Sequence, residues 1–116
     1  VGDSIGRLKA VPSNTESSSW AADTLASLSQ KCPMSLCVAF RQITEGANLD
    51  INACMKMEYR ILRRLLPRPD FYEGIRAAII DKDNSPQWVP NTLEEVTDEM
   101  VNAFFADLGE RELDLP

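Results

Sequence analysis

Residues 70–88, DFYEGIRAAIIDKDNSPQW, contain a helix start, a largely apolar run and a polar turn, and they decide how the chain folds. Asp70 and Glu73 have capping-box spacing, in which the first side chain accepts an early backbone N–H group and the second reaches back to the cap. After the apolar run, Pro86 and the residue before it cannot continue a helix. This stretch therefore predicts a central helix that begins at Asp70 and a loop that ends at the aromatic side chain of Trp88.

Apolar residues elsewhere recur at helical spacing and indicate an all-α chain of about six helices, two or three of them short. Helices are predicted within 1–9, over 20–31, from 33 to about 45, over 51–66, from 70 onward and after 97. Asp50 and Thr97 are residue types that cap helix N-termini, and Thr92 with Glu95 forms a second capping box. Gly46 suits a left-handed position at the end of the third helix.

Two of the predicted helices carry the apolar faces that we expect to build the core. In the helix from 33 to about 45 these residues are Leu36, Phe40 and Ile43. In the helix over 51–66 they are Ile51, Cys54, Met55, Tyr59, Leu62, Leu65 and Leu66. Glu58 lies beside this second face, and we interpret it as a structural carboxylate paired with Arg41 or Arg76, because a charge at a helix interface usually has a partner.

Composition excludes several kinds of function. The chain has 116 residues, a net charge of −6 and no histidine. Its negative charge argues against broad nucleic-acid binding, and the lack of histidine excludes Ser-His and Cys-His nucleophile pairs and histidine metal ligands. The three cysteines lack zinc-site spacing, so we expect reduced thiols and no metal. No apolar run is long enough for a membrane span and no signal peptide is visible, so we expect a soluble chain without a membrane partner.

A basic cluster lies along the end of the fourth helix and consists of Arg60, Arg63, Arg64 and Arg68, together with Lys56. One interpretation is a solvated helix face with favourable charge near the helix C-terminus. The other is a patch that faces phosphate groups, either of a nucleotide or of an RNA backbone, because guanidinium groups suit phosphate oxygens. The sequence leaves both interpretations open.

Three further motifs extend the pattern of residues 70–88: CPMSLCVAFRQ at 32–42, KMEYR at 56–60 and LEEVTDE at 93–99. Together they resemble the C-terminal signature of the 3-hydroxyisobutyryl-CoA hydrolase family, a branch of the crotonase (enoyl-CoA hydratase/isomerase) superfamily. The resemblance covers the whole chain but only the helical C-terminal third of such proteins, without their β/α core. Cys37 stands where the family usually has lysine.

The resemblance implies a division into three parts. Residues 1–10 would be a short helix that continues from a missing core, 11–19 a Ser-rich linker, and 20–116 the C-terminal helical domain. The family's catalytic carboxylates lie in the absent core, so we expect no catalytic residue here, no turnover by this chain alone and no cofactor beyond the coenzyme A of the substrate. Phe71 and Trp88 would anchor the interface with a crotonase-core polypeptide, in the same protein or a separate one.

Two functions follow from the resemblance. In the first, the chain is the C-terminal domain or split half of a hydrolase-like protein that cleaves CoA thioesters in valine breakdown in the mitochondrial matrix. It would cover the acyl-CoA cleft and support assembly. In the second, it is a non-catalytic structural subunit of a larger mitochondrial assembly that contains RNA, such as the small subunit of the mitochondrial ribosome.

The same resemblance suggests coenzyme A contacts near the central helix. Arg76 and Lys82 flank a segment that in crotonases lies close to the nucleotide portion of coenzyme A, which makes Lys82 a candidate for a 3′-phosphate contact. Asp81 and Asp83 surround this lysine, and their charges oppose a nearby phosphate unless they are offset. In the alternative interpretation, Asp81, Lys82 and Asp83 only tie down their own loop.

Overall fold

Helices account for all the regular structure of the computed structural model, which describes residues 1–116 in full. The six α-helices are α1 (Gly2–Lys9), α2 (Ser17–Ser29), α3 (Pro33–Gly46), α4 (Ile51–Leu65), α5 (Pro69–Ile75) and α6 (Asp98–Phe105). A π-helical segment, Arg76–Ile80, continues α5, and short 3₁₀ turns lie at Leu93–Glu95 and Gly109–Arg111. The prediction of an all-α chain with about six helices is confirmed.

Most of the predicted helix ends are confirmed. Asp50 Oδ1 accepts the Ala53 N–H group at 2.8 Å, and Thr97 Oγ1 accepts the N–H group at the start of α6 at 3.2 Å. The Glu95 carboxylate reaches back 3.1 Å to the Thr92 N–H group, although it caps a 3₁₀ turn rather than an α-helix. The left-handed position predicted for Gly46 is wrong, because Gly46 is the last helical residue of α3 and does not have a positive φ.

The core lies where α3, α4 and α6 meet. Its buried residues are Cys32, Met34, Val38, Met57, Ile61, Val101 and Phe104. On α3 the predicted inward face is wrong for two of its three residues: Phe40 and Ile43 are 47% and 75% exposed. Leu36 is half-buried, and the buried residues of the helix are instead Met34 and Val38. The helix carries apolar residues on two faces, and α6 packs on the face that local periodicity did not single out.

On α4, too, the buried face differs from the predicted one. Met57 and Ile61 are buried in the core, and neither belongs to the predicted stripe. Most of the predicted stripe points outward instead, as a row of apolar residues that we call the outer stripe of α4. It consists of Ile51, Met55, Tyr59, Leu62 and Leu66.

Helices α1 and α2 pack against each other. Helix α2 begins at Ser17, so the predicted linker over 11–19 is shorter than expected and its last three residues are helical. The indole N–H group of Trp88 donates to the Gln30 carbonyl oxygen at 3.3 Å. This bond ties the end of α2 to the loop that follows α5.

The chain exposes more surface than its size requires. Its radius of gyration is 16.5 Å, against about 13 Å for a compact chain of this length. Its accessible surface is 8122 Å², about 1,800 Å² more than the size relation for folded monomers gives. Only 11 of 116 residues are buried. Substantial apolar surface is therefore left uncovered.

Candidate functional site in the Arg76 loop

Arg76 organises the loop 81–88, which we call the Arg76 loop. Its Nε and Nη2 atoms donate to the two carboxylate oxygens of Glu73 at 2.8 and 2.7 Å. Its Nη1 atom donates to Asp81 Oδ2 at 2.8 Å and to Asp83 Oδ2 at 2.7 Å. Three carboxylates, one from α5 and two from the start of the loop, thus converge on one guanidinium group.

These contacts shift the pKa values of the groups involved. Hydrogen bonds from Arg76 and from the Gln87 N–H group lower the pKa of Glu73 to about 2. The Arg76 hydrogen bond likewise lowers the pKa of Asp83, and the hydrogen bond to Glu73 raises the pKa of Arg76. Glu73, Asp83 and Arg76 therefore stay charged across the neutral range and hold the loop by charge-assisted hydrogen bonds.

The backbone of the Arg76 loop adopts an uncommon conformation. Lys82 and Asn84 have φ angles of 55° and 52°, in the left-handed region that side-chain-bearing residues seldom occupy. Asp83 Oδ1 accepts the Ser85 N–H group at 2.9 Å, and the Asn84 N–H group donates to a carbonyl oxygen of the π-helical segment at 3.0 Å. These bonds offset the cost of the left-handed residues, about 1–3 kcal/mol each.

Lys82 stands apart from the network around it. Its side chain is exposed and forms no ion pair, whereas Asp81 and Asp83 are drawn to Arg76. The two aspartates therefore tie down the loop through Arg76 and leave the Lys82 ammonium group unpaired. Arg76 itself is occupied by its own chain, and coenzyme A contacts at Lys82 and Arg76 stay predictions.

Asp70 does not cap α5, so the predicted capping box at this position is wrong. The helix begins at Pro69, and Glu73 bonds Arg76 rather than the cap. Asp70 is 6% exposed. Its Oδ1 atom accepts the Val89 N–H group at 2.9 Å, and its Oδ2 atom accepts the Cys32 S–H group at 3.6 Å. Because Pro69 occupies the first helical position, the helix begins one residue earlier than predicted. The Asp70 carboxylate then binds the loop instead of capping the helix.

The two predicted interface anchors differ in their surroundings. Trp88 packs beside the core and on Gly74, where an added Cβ would lie 3.2 Å from the indole Cη2 atom. The ring therefore fills a pocket of this chain. Phe71 is half-buried and meets the ring of Tyr72 edge to face, with the centroids 5.5 Å apart. A role for Phe71 or Trp88 in an interface stays a prediction.

Two arginines of the basic cluster hold the end of α6. Arg60 Nε donates to Glu112 Oε1 at 2.8 Å, and its Nη2 atom lies 3.4 Å from Asp107 Oδ2. Arg64 donates to the carbonyl oxygens of Phe104 and Asp107, both at 3.4 Å. The last carbonyl groups of a helix lack partners within it, so these cations stabilise the end of α6.

The remaining members of the cluster do not form a patch. Arg68 donates to the Val89 carbonyl oxygen at 3.1 Å and lies over the Phe104 ring, so it is also occupied. Arg63 is exposed and forms no hydrogen bond to the chain. The structure brings three of the four arginines against α6 and the loop, which disfavours the phosphate-facing interpretation.

Glu58 and Cys37 differ in their surroundings. Glu58 is exposed and forms no ion pair, so its predicted pairing is wrong; Arg41 bonds Glu45 Oε1 instead, at 2.6 Å. Cys37 packs beside the core, and burial raises the pKa of its thiol, which keeps it protonated and weakly nucleophilic. No group of three or more cysteine or acidic side chains is placed to hold a metal ion, and no helix has the length and hydropathy to cross a membrane.

The comparisons with known proteins agree on one family. The family model described as enoyl-CoA hydratase/isomerase matches residues 1–105. A protein of Danio rerio named mitochondrial 3-hydroxyisobutyryl-CoA hydrolase is 47% identical over 94 residues, which are 81% of this chain and 24% of the relative. Its Xenopus laevis counterpart is 43% identical over 100 residues, 86% of this chain and 26% of the relative.

Solved structures give the same picture. The crystal structure of an enoyl-CoA hydratase from Rhodobacter sphaeroides superposes with a TM-score of 0.82 and 36% identity, over 96% of this chain and 32% of that one. The chain spans about a quarter of the length of the curated relatives it matches, and the match lies in their C-terminal part.

Proposed function

Because the chain belongs to the enoyl-CoA hydratase/isomerase family, we propose that it is the C-terminal helical part of a 3-hydroxyisobutyryl-CoA hydrolase-like protein. It packs on a crotonase-core polypeptide, covers the acyl-CoA cleft and supports assembly. The core supplies the catalytic groups for thioester hydrolysis in valine breakdown. This chain supplies helical surface and the Lys82 ammonium group, which we propose contacts the nucleotide phosphate of coenzyme A.

The uncovered surface is the observation that carries this proposal. The chain exposes about 1,800 Å² beyond the expectation for its mass, and a stable interface removes about 800 Å² from each partner. A crotonase core is large enough to cover that area. The relatives from Danio rerio and Xenopus laevis have about three quarters of their length outside the matched segment. Both relatives are named as mitochondrial proteins, and we propose the mitochondrial matrix for this chain.

The chemistry of the chain agrees with a supporting role. Thioester hydrolysis requires donors around the developing oxyanion and a positioned base or water. Glu73 and Asp83 are fixed on Arg76, and Asp70 is fixed on the Val89 N–H group. These carboxylates therefore hold structure in place. The ribosomal alternative came from the resemblance, and no observation on this chain favours it as a second candidate.

A binding experiment tests the proposal. The crotonase core of the Danio rerio relative, truncated before its matched segment, is co-expressed with this chain, which carries a tag. The proposal predicts a complex that survives gel filtration. The control replaces this chain with a tagged helical protein of similar size and charge. Failure of the chain to hold the core in a soluble complex contradicts the proposal.

A further inference from the structure

The outer stripe of α4 is an unusual feature for a helix at the centre of a fold. Its four aliphatic members are between 40% and 73% exposed. At about 100° per residue the five positions fall within an arc of about 80°, and they follow the helix for about 22 Å. The opposite face of α4 carries Met57 and Ile61 and packs on the core. Helix α4 is thus apolar on two faces, and only one of them has a partner in this chain.

Charged side chains border the outer stripe on both sides. Glu58 lies along one edge, and Lys56 and Arg63 lie along the other, by the same helical spacing. Glu58 and Arg63 are exposed and form no ion pair. An apolar centre with a charged border is the usual composition of a protein interface.

We infer that the outer stripe of α4 is the surface through which this chain docks on the crotonase core. The inference rests on the proposed function and goes further by naming the contact surface. The partner surface is apolar at its centre, with its own charged residues placed to meet Glu58 on one side and Arg63 on the other.

The size of the uncovered area favours the core over a second copy of this chain. Pairing two copies through a single helix face would cover only part of the roughly 1,800 Å² of surplus surface. The fold also recurs as 32% of a larger enoyl-CoA hydratase chain, so in that relative about two thirds of the polypeptide accompanies these helices. A core of that size covers α4 and its neighbours together.

Leu62→Glu tests the inference because it places a charge at the middle of the stripe without touching the buried face. We expect the dissociation constant for the Danio rerio core to rise at least tenfold, with an unchanged far-UV circular dichroism spectrum. Met55→Glu is also expected to raise the dissociation constant, which would show that the effect is not peculiar to position 62. The matched control is Trp20→Glu, an equally drastic change at a position of α2 that is 63% exposed, which should bind within about twofold of the unsubstituted chain.

The outcomes separate the two proposals. If the unsubstituted chain fails to bind the core, the proposed function itself is wrong. If it binds and both α4 variants bind equally well, the outer stripe is not the docking surface. If Leu62→Glu instead converts a self-associated chain to a monomer while core binding stays unchanged, the stripe pairs two copies and the inference is overturned.

Discussion

Asp70 is the buried carboxylate on which the end of the Arg76 loop depends. Replacing it with alanine leaves the Val89 N–H group and the Cys32 thiol without an acceptor and Arg68 without its carboxylate partner. We expect Asp70→Ala to lower the free energy of unfolding by about 2–3 kcal/mol, the cost of unsatisfied buried groups. Asp50→Ala, which removes only an N-cap bond, should cost about 1 kcal/mol.

The comparison is made by chemical denaturation of the two variants in complex with the core. It distinguishes a buried bridging carboxylate from a helix cap. Equal losses for Asp70→Ala and Asp50→Ala would show that Asp70 contributes no more than a cap does.

Glu73 makes the Arg76 loop sensitive to acid. Its pKa is about 2, below the ordinary value of 4.5, so its contribution is fully present above about pH 4.5 and is lost as the pH falls toward 2. The Gln87 N–H group donates to Glu73 Oε1 at 2.8 Å, and its NMR chemical shift reports the titration. We expect a midpoint near pH 2 and no such transition in Glu73→Gln. A midpoint near 4.5 would show that Arg76 does not hold this carboxylate in solution.

Lys82 is the one cation of the Arg76 loop without a partner. In the complex with the core, we expect Lys82→Ala to raise KM for the CoA ester about tenfold and to leave kcat nearly unchanged. A phosphate contact far from the reacting atoms contributes equally to the ground and transition states, and a charge-assisted hydrogen bond contributes about 1.5 kcal/mol. Lys9→Ala removes another exposed lysine that forms no ion pair, far from the outer stripe in the sequence, and should leave KM unchanged. An unaltered KM for Lys82→Ala would show that Lys82 does not contact the coenzyme A phosphate.

Residue roles set by neighbours in the sequence were predictable, whereas roles set by the tertiary fold were not. The caps at Asp50 and Thr97 follow from residue type and spacing, and both are confirmed. Long side chains such as Arg60 and Arg64 reach partners about 40 to 50 positions away, which no local pattern contains. The sequence therefore left the phosphate-facing interpretation of the basic cluster open, and the contacts of Arg60 and Arg64 now disfavour it.

At the level of elements, the contact between Gly74 and Trp88 fixes how α5 meets the Arg76 loop. The Trp88 ring is held on its other side by the bond to Gln30, so it has little freedom to move. We expect Gly74→Ala to destabilise the protein despite the better helix propensity of alanine. Gly6→Ala, in α1 with open space around the added methyl group, should be neutral or stabilise by about 0.5–1 kcal/mol.

Thermal unfolding of the two glycine variants, each in complex with the core, provides the measurement. Only Gly74→Ala is expected to lower the unfolding temperature, because only Gly74 faces an aromatic ring at close range. A stabilising effect of Gly74→Ala would mean that Trp88 is not locked in place.

The helices themselves were predictable and their buried faces were not. The α3 and α4 segments each carry apolar residues on two faces, and periodicity alone cannot say which face meets α6. The face of α4 chosen from the sequence, centred on Met55 and Leu62, is an apolar surface but lies outward. Its apolar character is explained if a partner covers it.

At the scale of the whole molecule, the chain folds as a set of helices around a small core, with more exposed surface than a compact protein of its mass. The comparisons describe the same arrangement as the C-terminal part of larger relatives. Both observations support our central proposal, that this chain works bound to a crotonase core.

Hydrolysis of 3-hydroxyisobutyryl-CoA tests that claim most directly. Turnover is measured for the chain alone, for the truncated Danio rerio core alone and for their complex, at matched concentrations. We predict no turnover by the chain alone and restored turnover in the complex at a rate well above that of the core alone. Turnover by the purified 116-residue chain, or a complex no more active than the core alone, would contradict the account.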